Sequence, residues 1–411
     1  VPQDGGRLAR ETAEAVARRS YGMLVAVLAA RMRDVAGAED ALSDAFAAAL
    51  ADWPLSGIPA RPEAWLLTVA RRKMLDGVRR RRTAADAQRH LVLMSELAGN
   101  ETPVPDARLG LMFACAHPAI DPAIRAPLIL QTVLGFDAAA IASAFLVAPA
   151  TMSQRLVRAK TKIREAGIPF EVPEADDLAG RLDAVLGAIY ATFSQGWSNP
   201  EGTETRRRAM AEDGIWLGQL VASRLPEEPE ALGLLALMLH AEARRGARRD
   251  AAGDYVPLAE QDPALWDAEL IDAAEMLLLR AGGMGRIGRY QLEAAVQSAH
   301  VARRQTGRTD WTAIGQLYGA LHAITNSPVV AINRAIALAE AQGTAEGLRI
   351  LDDLSADARL TDYQPYWAAR AGLLARAGAR VEAAHAYDRA IGLEADPAVR
   401  RFLQKRREEV A

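Results

Sequence analysis

Two stretches of the chain hold residues whose types and spacing could do chemistry, and in both the chemistry is contact with nucleic acid. The first is PATMSQRLVRAKTKIRE, residues 149–165. Met152, Leu156, Ala159 and Ile163 recur at i, i+4, i+7 and i+11, which is one face of a helix. Ser153, Gln154, Arg155, Arg158 and Lys162 fall on the opposite face, with Lys160 and Arg164 on a flank. The stretch holds five cations and one anion. Arginine and glutamine can make paired hydrogen bonds to base edges, and a helix of this size fits the major groove. The preceding FDAAAIASAF predicts a first helix with Ile141, Ala142 and Phe145 facing inward, and Val147 fills the turn. Together they have the pattern of a helix-turn-helix, which many helical hairpins imitate.

The second stretch is RPEAWLLTVARRKMLDGVRRRR, residues 61–82. Pro62 and Glu63 suit the first turn of a helix. Trp65, Leu66, Val69, Met74 and Val78 can bury a stripe. Arg71, Arg72 and Lys73, then Arg79, Arg80, Arg81 and Arg82, place cations along that helix. Between Arg61 and Arg89 there are nine Lys+Arg against three Asp+Glu. Such a run neutralises phosphates and releases their counterions. Trp53 and Trp65 bracket the loop before it, where an unstacked base could rest on a π-face. A solvated basic helix end is the plainer reading of the arginines alone.

No other chemistry is legible. There is no Gly-rich phosphate loop, no zinc spacing and no nucleophile–base constellation, so neither an enzyme nor a bound cofactor or metal is expected. The one cysteine, Cys115, excludes a disulfide framework and a cysteine-rich zinc site. His117, His240, His300, His322 and His385 read as isolated surface or core residues.

The elements that must carry these stretches are helices. Half of the 411 residues are hydrophobic and a quarter charged, apolar residues recur at helical spacing, and alternating β-branched runs are nearly absent. The expected fold is all-α, with boundaries at 1–82, a linker at 83–105 containing GNETPVP, a compact block at 106–170, and a helical remainder at 171–411. The net charge of −3 is unevenly spread: residues 1–170 hold 22 Lys+Arg against 17 Asp+Glu, and residues 171–411 hold 27 against 35. A basic half joined to an acidic one hints at a nucleic-acid face. In the remainder, two helix–Gly–helix units can be superimposed with Gly343 and Gly378 standing 35 residues apart, near the 34-residue tetratricopeptide period. DGGR at 4–7 reads as a turn-like, disordered tail. The polar N-terminus shows no signal peptide, and the longest apolar run, Leu232 to His240, is too short to span a bilayer. A cytoplasmic location and no membrane contact are expected.

The two stretches, in this order and with a linker between them, resemble the conserved regions two and four of extracytoplasmic-function (ECF) sigma factors. AEDALSDAFAAALADWP (38–54) followed by PEAWLLTVARRKMLDGVRRRR looks like region two. Ala150, Thr151, Met152, Arg155, Arg158 and Ala159 match the pattern of region four. GRLDAVLGAIYATFSQGW (180–197), EPEALGLLALMLHAEARR (228–245) and SPVVAINRAIALAEAQG (327–343) resemble the tetratricopeptide-like extension of one subgroup. The resemblance implies a factor that binds core RNA polymerase and directs promoter-specific initiation. Glu39, Asp40, Asp44 and Phe46 would dock on polymerase. The loop from Trp53 to Arg61, with Trp65, would capture a flipped base of the −10 element, and Arg71, Arg72, Lys73 and Arg79–Arg82 would hold phosphates. Thr151, Ser153, Gln154, Arg155, Arg158, Lys160 and Lys162 would read the −35 element. The extension would regulate activity or bind a protein or peptide partner. The sequence departs from the family pattern at Lys73, where many relatives have Asn, at Leu146, the usual glycine of the turn, and at Ala139 or Ala140, where Glu is common. An operator-binding helix-turn-helix regulator with a helical sensor domain is the alternative; it leaves the Trp-flanked basic segment unexplained.

Overall fold

The computed structural model describes residues 2–80, 107–145, 147–197 and 204–410. The expected linker at 83–105 lies outside the described residues, as do Arg81, Arg82 and Leu146. Among the described residues the fold is all-α: there is no β-strand, only one isolated antiparallel bridge between Arg249 and Tyr255. No described helix is long and apolar enough to cross a membrane. The chain divides into two compact units, Val1–Gln195 and Gly196–Ala411.

The first unit is built around α1 (Pro2–Met32). Its first half buries one stripe, Ala9, Ala13, Val16 and Ser20, while every residue from Leu24 to Ala29 is buried. A helix apolar on all sides must be covered on all sides, and this one is: α2 (Val35–Ser56), α3 (Pro62–Arg80), α4 (Arg108–Cys115) and α5 (Pro122–Thr132) all pack on it. The DGGR segment is not a tail but part of α1; the apolar stripe that continues beyond it outweighs the low helix propensity of its glycines. Asp34 caps α2 by accepting from the Gly37 N–H at 3.1 Å. Ser20 on α1 donates to Glu63 in the first turn of α3 at 3.2 Å.

The approach of α1 to the end of α5 is set by Gly22. A Cβ there would stand 1.7 Å from the carbonyl oxygen of Val133, so only glycine lets the two backbones meet. Cys115, at the end of α4, is fully buried against α5, with its Sγ 3.4 Å from Thr132 Oγ1. Thr132 spends its one hydroxyl proton on the Leu128 carbonyl, so the thiol is the donor. Burial pushes that thiol up to about 12. Beyond α5, α6 (Ala138–Ala144) and α7 (Pro149–Glu165) form a hairpin, and α8 (Ala175–Trp197) runs to the edge of the unit. Its Arg181 donates to the Phe113 carbonyl at 3.3 Å.

In the second unit consecutive helices pack as neighbours, from α9 (Glu204–Arg224) through α10 (Pro229–Ala243), α11 (Ala268–Gly282) and α12 (Arg289–Val301), then the short α13 (Arg303–Thr306), to α14 (Trp311–Thr325). The series continues with α15 (Pro328–Gln342), α16 (Thr344–Asp353), α17 (Gln364–Arg376), α18 (Arg380–Leu393) and α19 (Pro397–Glu408). Gly343 (φ 108°) and Gly378 (φ 80°) sit in the turns of two of these hairpins, where a left-handed backbone favours glycine. The last helix returns to the loop after α10: Arg249 pairs with Asp396 at 2.5 Å, Arg401 with Asp254 at 2.9 Å and Arg406 with Glu260 at 2.6 Å.

Candidate nucleic-acid interface

The α6–α7 hairpin places its residues as the apolar spacing requires. Met152, Leu156, Ala159 and Ile163 are buried, as are Ile141 and Ala142, and Phe145 and Val147 are half-buried in the turn. Pro149 opens α7, whose first turn holds no acidic residue. Thr151, Ser153, Gln154, Arg155, Arg158 and Lys162 are all exposed. None of Arg155, Arg158 and Lys162 has a carboxylate partner among the described residues. In the second unit Arg349, Arg359, Arg370, Arg376, Arg389 and Arg407 are each paired with an acid, while Arg304, Arg308 and Arg380 are exposed with no acid partner among the described residues. A row of unpaired cations on one helix face leaves its field open to an incoming polyanion.

Lys160 departs from this face. It is 8% exposed and forms an ion pair with Glu39 of α2, 121 residues away in sequence. Next to it, Arg164 approaches Asp34 at 3.8 Å. The flank of α7 is therefore held against the start of α2, and Glu39 faces α7 instead of solvent. Its carboxyl lies above the ordinary range because burial outweighs the pull of the Lys160 ammonium. Asp40 and Asp44 remain exposed on α2, and Phe46 is half-buried. Of the four docking candidates, the two aspartates share an open face and Glu39 does not. Nothing in the local sequence signals the Glu39–Lys160 or Asp34–Arg164 pairs, because both depend on how two distant helices meet.

Around α3 the structure differs from expectation at Trp53. Helix α2 continues through Pro54 to Ser56, and the Gly57 N–H closes it on the Trp53 carbonyl at 3.0 Å. Trp53 is thus a helix residue, 2% exposed, with its ring edge-on to Trp65 at 5.6 Å. A buried indole offers no π-face to a base. Trp65 is half-buried, and the loop itself is short, from Gly57 to Arg61. Arg61, Arg72 and Lys73 are exposed, and Lys73 lies 4.0 Å from Asp44. Arg71 is half-buried with its Nε lacking a hydrogen-bond partner, and burial lowers its pKa. The side chains of Arg79 and Arg80 lie outside the described residues.

The first unit thus carries a helix with exposed cations after a short loop and, on α7, an open cationic face. The comparisons carry this further. A model of sigma-70 region 2 matches residues 16–84, and a family of unknown function (DUF6596) matches residues 181–282. The chain is 37% identical over 385 residues to the uncharacterized protein R00370 of Rhizobium meliloti (strain 1021), covering 91% of this chain and 90% of that protein. No solved structure matches significantly. The chain belongs to one family with the Rhizobium meliloti protein, and its region 2 makes it a sigma-70 family sigma factor, acting in transcription by RNA polymerase.

Proposed function

We propose that this is an ECF-type sigma factor in which α1–α3 recognise and melt the −10 element, α7 reads the −35 element, and the second unit regulates activity or binds a protein partner. The observation that carries the reading is the unpaired cationic face of α7 on the same compact unit as region 2. Asp40 and Asp44 offer the open acidic face for polymerase, and Arg61, Arg72 and Lys73 the phosphate contacts.

Reading both elements at once sets a geometric demand. They are about 25 base pairs apart, on the order of 85 Å at 3.4 Å per step. A compact body of 195 residues has a radius of gyration of about 16 Å. The α1–α3 and α4–α7 bodies must then part on promoter DNA, and the Glu39–Lys160 pair breaks as they do. The 23 residues from 83 to 105 reach about 76 Å when extended.

The test is run-off transcription with purified core RNA polymerase on the chain's own upstream region, with and without the protein. Initiation at a discrete start, dependent on the protein, is expected. No transcript together with no co-elution with core polymerase would favour an operator-binding regulator instead.

A further inference from the structure

Two buried glutamines of the second unit are held by hydrogen bonds. Gln261 donates to the Val256 carbonyl and accepts from Trp266 Nε1. Gln291 donates to the Arg286 carbonyl, and Glu230 accepts from the backbone of Tyr290 and Gln291. Arg244, at the end of α10, differs: like His240, Arg303, His322 and Arg334 it keeps a buried side-chain nitrogen without a hydrogen-bond partner. It is 7% exposed. Its Nη2 donates to Gln297, but its buried Nη1 has no hydrogen-bond partner, and no carboxylate pairs with it among the described residues. The charged groups that face it are cations, Arg303 and Arg248, together with the phenol of Tyr318.

The surroundings repeat the imbalance. His240, one turn earlier on α10, is fully buried, and neither ring nitrogen makes a hydrogen bond; its Nε2 only approaches Glu275 at 3.4 Å. Glu275 itself accepts from Ser298 at 2.9 Å. Arg303 lies over the Trp266 ring at 4.7 Å and donates to the carbonyls of Ala259 and Gln261, leaving its Nε unpartnered. Burial and the neighbouring guanidiniums hold His240 down at about 3 and His300 at about 4. The negative end of α10 offsets part of the charge of Arg244, but a guanidinium taken from water without a counter-charge is strongly disfavoured. Gln297, His300, Arg303 and Tyr318 around it are only half-buried, whereas His240 and the Nη1 of Arg244 are buried.

We propose that this cluster is a binding site for a small oxyanion-bearing ligand, whose oxygens pair with Arg244 and are flanked by His240, His300 and Arg303. The site stands independently of the sigma-factor reading. A bound anion supplies the missing counter-charge and the missing acceptor for Arg244 Nη1, and it makes unit 2 a receptor for a metabolite or a carboxylate-bearing chain end.

The experiment is thermal unfolding of the full chain at constant ionic strength in chloride, with added inorganic phosphate or acetate. A saturable rise of the unit 2 transition is expected, about 5 °C or more at a hundredfold excess over Kd. A response to phosphate alone assigns a phosphate-bearing ligand, and a response to acetate alone a carboxylate. Arg244→Gln abolishes the rise, whereas Arg389→Gln, on a surface arginine paired with Asp362, keeps it. Should Arg244→Gln not fold, the His240 and His300 ring resonances of the natural chain decide, since a nearby anion shifts them saturably. No response to either anion with unmoved histidine resonances, or an equal rise in Arg244→Gln, overturns the site.

Discussion

Replacing Lys160 by Met leaves the Glu39 carboxylate buried without its partner. The two side chains are 9% and 15% exposed, and Glu39 Oε1 already lacks a hydrogen bond. Breaking one side of a buried pair costs about 3–5 kcal/mol; with Glu39 keeping some contact with water, the lower end, about 3 kcal/mol, applies here. For a body of this size that is a fall of roughly 6–12 °C in the unfolding midpoint of the first unit. Lys160→Met with Glu39→Leu removes both charges and recovers most of the loss, so the double-mutant cycle shows a coupling of about 2 kcal/mol. Acid has a definite sign here. Because Glu39 holds its proton more tightly folded than unfolded, its contribution to stability is greatest below the ordinary carboxylate pKa and is lost as pH rises through the raised value. The deficit of Lys160→Met therefore shrinks between pH 7 and pH 5. Calorimetry of the single and double variants at both pH values measures this. A single variant within 1 kcal/mol of the natural chain, or a double variant no better than the single, would refute the reasoning.

Gly22→Ala drives a methyl group into the Val133 carbonyl and costs about 3 kcal/mol or more, read as a lower urea midpoint of the first unit. In the second unit, His240 and His300 are held neutral. Their unfolded forms take up protons first on acidification, so stability present above about pH 6.5 is lost as pH falls toward 4, by roughly 2–3 kcal/mol for each; urea titrations at pH 7 and pH 4.5 check it. Arg155→Ala and Arg158→Ala each weaken promoter binding by about 1–3 kcal/mol without moving the unfolding midpoint, measured by DNA mobility shift in the presence of core polymerase.

The helical fold and the inner face of α7 were legible because burial follows a period that the sequence displays: Met152, Leu156, Ala159 and Ile163 leave no other way to face the core. Trp53 was read as bracketing the loop, but α2 runs on through Pro54 to Ser56 and carries it into the core. Proline near the end of a helix forfeits one hydrogen bond without stopping the chain, and the indole had a core to fill. Lys160 and Glu39 were illegible in a stronger sense, since both would look like surface charges until α2 and α7 are docked. The Arg244 cluster did leave a trace. His240 and Arg244 stand at i and i+4 at the end of Leu232–His240, a run apolar on every side, so polar groups on that helix had to be buried. Where the oxyanion donors of α12 and α13 would come from was not readable locally.

Cys115 makes the chain its own reporter. It is the one thiol among 411 residues, it is sealed at the end of α4 against α5, and at neutral pH almost none of it is thiolate. A thiol reagent therefore reacts only with molecules in which the α4–α5 contact has opened, and the modification rate counts those events without any label being introduced. Any rearrangement of the first unit that reaches the α4–α5 contact would speed the reaction; a first unit that stays shut would leave this sulfur untouched.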